Sequence, residues 1–107
     1  MKKRIMDAQA LERIRAIHQQ SAEFNRLVKK PHDERLLELM RKHVEEIQEL
    51  RNLGDPHYLV ETGDLLILCY ELLIEGGASI DEVTRQCFER YERKLAHLIE
   101  EAARHGQ

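Results

Sequence analysis

Apolar residues recur every three or four positions along most of this chain, and no stretch alternates apolar with polar residues as a strand would. The spacing predicts four helices with short connections. The first runs from about Asp7 to Lys29, with Ala10, Ile14, Ile17, Phe24 and Val28 on one side. Pro31 ends it, because proline pushes the residue before it out of helical backbone. Asp33 is the expected N-cap of the second helix, which carries Leu36, Leu37, Met40, Val44, Ile47 and Leu50. Gly54 stops that helix, and Asp55-Pro56 supplies a cap and a first-turn proline for the third. Gly76-Gly77 ends the third. Ser79-Ile80-Asp81-Glu82 reads as a capping box for the fourth, whose stripe is Ile80, Val83, Cys87, Tyr91, Leu95 and Leu98. The tail EEAARHGQ is expected to fray.

The third helix departs from the simple amphipathic pattern. From Leu65 to Ile74 only Glu71 is charged, and its polar residues reduce to one narrow stripe: His57, Glu61, Asp64 and Glu71. A helix apolar on most of its circumference is buried on several sides. One small layer of four helices cannot supply that cover, so a second copy of the chain is expected to. The fold expected is therefore all-α: a four-helix bundle-like protomer, one domain over residues 1–107, assembling as a dimer or a dimer of dimers. The short connections make the second and third helices an antiparallel hairpin.

Composition narrows the partners. The formal net charge is −3, and basic residues are interspersed with acids rather than gathered, which argues against nucleic acid. The opening MKKR leads to Asp7 with no apolar segment between, so no signal peptide is expected there. The longest apolar run, LLILCY, is too short to span a bilayer, and no membrane partner is expected. Cys69 and Cys87 lack C-x-x-C spacing and read as reduced residues of a cytoplasmic protein.

Two acidic clusters carry the candidate chemistry. Glu45, Glu46 and Glu49 form E-E-x-x-E on the second helix, and Glu61 and Asp64 form E-x-x-D on the third. Residues three or four apart share a helix face, so each cluster is an acidic stripe, and a hairpin lets the stripes meet. Converging carboxylates repel unless a cation lies between them, and oxygen ligands suit Mg²⁺ or Mn²⁺. On the second helix alone, a solvated charged face explains the glutamates equally well. The third helix is more telling, because Val60, Leu65, Leu68 and Leu72 flank Glu61 and Asp64 and bury them in part. A di-iron bundle would show Glu-x-x-His, and none of the six histidines has glutamate three residues before it. His57 reads as a rim residue beside the acids, and the other histidines as surface or helix-end residues.

With these residues in view, the chain resembles the MazG-like nucleotide pyrophosphohydrolases of the all-alpha NTP pyrophosphatase superfamily. The likeness rests on Glu45-Glu46-x-x-Glu49, on Glu61-x-x-Asp64 within VETGDLLILCYELL, on Lys42, and on RYERKL in the fourth helix, and it covers roughly Leu36 to Leu95. It implies Mg²⁺-dependent hydrolysis of a nucleoside triphosphate to monophosphate and pyrophosphate. In that picture Glu45, Glu49, Glu61 and Asp64 are metal ligands, and Glu46 orients or deprotonates the attacking water. Lys42, Arg90 and Lys94, with Arg93 nearby, neutralise phosphate charge. The chain departs from the family in having Gln86-Cys87-Phe88 where an asparagine is common, which leaves the phosphate contacts of the fourth helix open, and in having no tryptophan, so the likeness assigns no base pocket. Phe24, Gln19 and Gln20 are pocket candidates, with Phe24 also fitting the core. Two other readings are phosphoribosyl-ATP or dUTP/dCTP hydrolysis within the same superfamily, and a non-catalytic helical dimerisation module.

Overall fold

The computed structural model describes residues Asp7 to Gly106. The reading of the opening MKKR lies outside them. The described residues are all-helical: α1 Ala8–Leu27, α2 His32–Asn52, α3 Tyr58–Glu75 and α4 Ile80–His105.

Two of the four helix starts carry a side-chain cap. Asp7 caps α1, its carboxylate accepting from the Gln9 and Ala10 N–H groups at 2.7 and 3.4 Å. Ser79 caps α4 by accepting from Glu82 N–H at 3.3 Å. The start of α3 lies later than expected: its N-cap is His57, which has no side-chain cap bond, and Asp55-Pro56 form the turn before it, Asp55 accepting from His57 N–H at 2.9 Å. The start of α2 differs from the sequence expectation. Asp33 is not its N-cap. Pro31, with φ −59°, takes the cap position, and its carbonyl accepts from Arg35 N–H at 3.0 Å. Proline already holds the backbone angle the helix needs, so α2 begins at His32, and Asp33 and Glu34 complement the first-turn dipole.

The first three helices end alike. In each, two N–H groups beyond the last turn return to carbonyls three and five residues back, as Gly54 to Arg51 and Asp55 to Leu50. The motif needs a left-handed residue, which Gly54 and Gly77 supply at φ 72° and 73°. After α1 the same place is filled by Lys29 at φ 58°.

Helices α2 and α3 form the expected hairpin and share the most extensive contact. Helix α1 lies across both, whereas α4 packs against α3 alone. The core is small: Ile14, Leu36, Leu68 and Ile80 are buried, joined by two polar residues, Asn25 and Glu71. The inward face of α1 is rotated from the sequence expectation. Ile14, His18 and Asn25 face the hairpin, while Ile17, Phe24 and Val28 are exposed, so Phe24 is not a core residue. The rotation follows from α3, whose Glu71 is buried and, with Glu75, meets His18 of α1. The bundle is open at α4. From Phe88 to Gly106 every residue is exposed, including Tyr91, Leu95, Leu98 and Ile99. The tail is helical to His105 rather than frayed, carried by backbone hydrogen bonding and by basic residues at the helix C-terminus.

Cys69 and Cys87 are free thiols, each partly buried. Among the described residues, no helix is long and apolar enough to cross a membrane.

Candidate functional site

The hairpin brings part of each acidic cluster to one place, with a histidine at its centre. His43, Glu46 and Glu61 each offer a ligand atom, and these atoms lie within 4.8 Å of one another. His43 Nε2 is 3.4 Å from Glu61 Oε2 and 3.9 Å from Asp64 Oδ2. On the rim, the exposed His57 places its Nε2 3.5 Å from Glu61 Oε1. The Glu61 side chain is mostly buried and that of Asp64 about half exposed.

The imidazole of His43 is oriented from behind. Its Nδ1–H donates to the Leu39 carbonyl at 2.8 Å, one helical turn back. That bond fixes the tautomer, so in neutral His43 the Nε2 lone pair points at the carboxylates. A lone pair aimed at carboxylate oxygens is unfavourable without a proton or a cation between them. The same back-side bond is what orients histidines that hold metals. One nitrogen and several carboxylate oxygens fit a divalent ion, with Mn²⁺ better suited to the nitrogen than Mg²⁺.

Other expected site residues lie elsewhere. Glu45 lines an apolar recess with Leu37, Met40, Val44, Leu65 and Cys69, round the helix from Glu46. Glu49 is exposed on α2. Lys42 is exposed one turn beyond Glu38. The Glu38 carboxyl is held below its ordinary range first by the hydrogen bond from Arg35, with Lys42 among the lesser charges. Arg90 and Lys94 line a shallow recess on exposed α4 with Tyr91 and Arg93. Of the pocket candidates, Gln19, Gln20 and Phe24 are all exposed on α1.

His43 is the residue that sequence reasoning missed. A signal existed: it sits on the apolar stripe of α2, between Met40 and Ile47, where a polar side chain needs a partner. The same oversight applies to His18 and His32, which are largely buried rather than on the surface. A recess of about 240 Å³ runs along α3 beside His43, lined by Ile17, Asp64, Ile67, Leu68 and Glu71. Comparison of the chain with protein-family models, with curated proteins and with solved structures finds no match.

Proposed function

We propose that the α2–α3 cluster is the divalent-cation site of a nucleotide pyrophosphohydrolase that converts a nucleoside triphosphate to monophosphate and pyrophosphate. The observation that carries this reading is His43. Its Nδ1–H is committed to a backbone carbonyl, and its other nitrogen is aimed at Glu61 and Asp64. His43, Glu61 and Asp64 would hold the ion, with the Glu46 carboxylate beside them. The ion, Mg²⁺ or Mn²⁺, would offset the negative charge of phosphate oxygens so that the substrate can approach the acids. Glu46, exposed at the mouth, orients the attacking water and accepts its proton. His57 holds Glu61 from the rim.

The protein acts as a homodimer or a dimer of dimers. The radius of gyration is 17.4 Å, where a compact chain of this length has about 13 Å. The accessible surface is 8726 Å², against about 6,200 Å² for a monomer of this mass. The unpartnered apolar stripe of α4 accounts for part of that excess. The recess beside His43 is also below the roughly 300–1,000 Å³ of small-molecule sites. A second copy would add the missing wall, and exposed Lys42, Arg90 and Lys94 are free to meet the phosphate tail there. The exposed α4 stripe also suits the second reading, a helical dimerisation module without catalysis.

The test is pyrophosphate release from a panel of nucleoside triphosphates with Mg²⁺, with Mn²⁺ and with chelator. Metal-dependent release that falls roughly 100-fold or more in Glu61→Gln supports the enzyme. No release from any substrate supports the module.

A further inference from the structure

A second cluster of metal-binding side chains lies at the other end of the α3 polar stripe. His18 comes from α1, His32 opens α2, and Glu71 and Glu75 are one turn apart on α3. One ligand atom from each of His18, His32 and Glu71 lies within 4.8 Å of the others. His32 Nε2 is 3.4 Å from His18 Nδ1, and His18 Nδ1 is 3.7 Å from Glu71 Oε1. All three side chains are largely withdrawn from solvent.

Glu71 is the observation that points to a ligand. It is 97% buried, since only 3% of its surface is exposed, and its Oε1 has no hydrogen-bond partner. A buried carboxylate oxygen without a partner is rare, because burying it forfeits hydration with nothing in return. This oxygen is the atom that faces His18 Nδ1.

The partners behind the histidines complete the pattern. The other nitrogen of His18, Nε2, lies 3.2 Å from Glu75 Oε2, so an Nε2–H there donates to a carboxylate and leaves the Nδ1 lone pair facing the cluster. His32 Nδ1 lies 2.7 Å from the Asn25 side-chain amide, and Asn25 is buried. It is the Asn25 amide nitrogen that faces Nδ1 and donates to it, so without an ion His32 Nε2–H donates to His18 Nδ1 at 3.4 Å. Half a turn of the amide would put its oxygen on Nδ1–H and free the Nε2 lone pair for an ion. Metal-holding histidines are oriented in this way from behind.

We infer that His18, His32 and Glu71 form a second metal site, selective for a borderline divalent transition ion such as Zn²⁺. Two imidazoles and one carboxylate match the donors of three-ligand zinc sites, and they disfavour Mg²⁺ and Ca²⁺. Glu75 and Asn25 are positioning residues. The site draws its ligands from three helices, so the ion pins α1 to the hairpin. It lies beside the recess that Glu71 shares with His43 and Asp64. The inference does not depend on the proposed hydrolysis.

Zn²⁺ is titrated into the full chain after chelator treatment, with affinity read by competition against a chromophoric chelator and stability by thermal melting. The double variant Glu46→Gln/Glu61→Gln is the background, because it disables the other cluster. One zinc per chain and a raised melting temperature are expected in that background. Adding Glu71→Gln should weaken binding at least 100-fold, and Asn25→Ala or Glu75→Gln about 10- to 100-fold. No zinc bound in the background, or binding indifferent to Glu71→Gln, overturns the inference. Should the Glu71 variant not fold, anomalous diffraction at the zinc edge on the unmodified chain decides. A peak between His18, His32 and Glu71 supports the site, and no peak there overturns it.

Discussion

Substituting Leu95 with glutamate tests whether α4 meets a second copy of the chain. Leu95 is 54% exposed and lies on the stripe with Tyr91 and Leu98. In a monomer the change falls on an exposed helix surface and should alter stability by less than about 0.5 kcal/mol. In a symmetric dimer each copy contributes the same surface, so the loss counts twice. Fully burying a leucine is worth about 1.5–3 kcal/mol, and roughly half of that remains to be gained here. The hydrophobic loss alone is then about 1.5–3 kcal/mol per dimer, or roughly 10- to 150-fold in the dissociation constant. Burying the new charge adds to it. Sedimentation equilibrium over a concentration series measures the constant for both proteins. An unchanged mass distribution, with an unchanged melting temperature, would refute the reasoning and leave α4 a free helix.

Two further outcomes follow from local features. Lys29→Gly removes a left-handed lysine from the end of α1 and should stabilise the chain by about 1 kcal/mol, seen as a melting temperature about 5 °C higher. An unchanged or lower value would contradict the strain assigned there. Burial pushes the Cys69 thiol above its ordinary value of 9.0. The fold therefore favours the neutral thiol: stability is unaffected below that value and declines as pH rises through it. Alkylation of Cys69 at pH 8, followed by mass spectrometry, should be slower than that of a free cysteine, and an equal rate would show the thiol to be open.

Much of the backbone was legible in the sequence because its signals are local. Asp7, Ser79, Gly54 and Gly77 act on their own helix ends whatever the rest of the chain does. The start of α2 was misplaced because aspartate and proline both mark helix starts, and the proline, two residues earlier, took the cap. The face of α1 depends on tertiary packing. Its apolar residues predict an inward stripe of Ala10, Ile14, Ile17, Phe24 and Val28; Ile14 is buried, but Glu71 and Glu75 of α3 meet His18 and Asn25 pairs with His32, so the inward face turns away from Phe24 and Val28. For the same reason the acidic pair Glu61 and Asp64 could be found from spacing, whereas His43 could not be assigned to them without the hairpin register. The buried histidines share one trace in sequence. His18 and His43 occupy positions where the helical repeat asks for an apolar residue, and each is met across the helix boundary by a glutamate of α3.

Pyrophosphate release in the presence of Mn²⁺ or Mg²⁺, compared between the native chain and His43→Ala, bears on the whole reading of the hairpin. Release that requires the ion, vanishes with chelator and falls roughly 100-fold in His43→Ala is the predicted result. Native protein that releases no pyrophosphate from any nucleoside triphosphate, or a His43→Ala variant as active as the native chain, would contradict it.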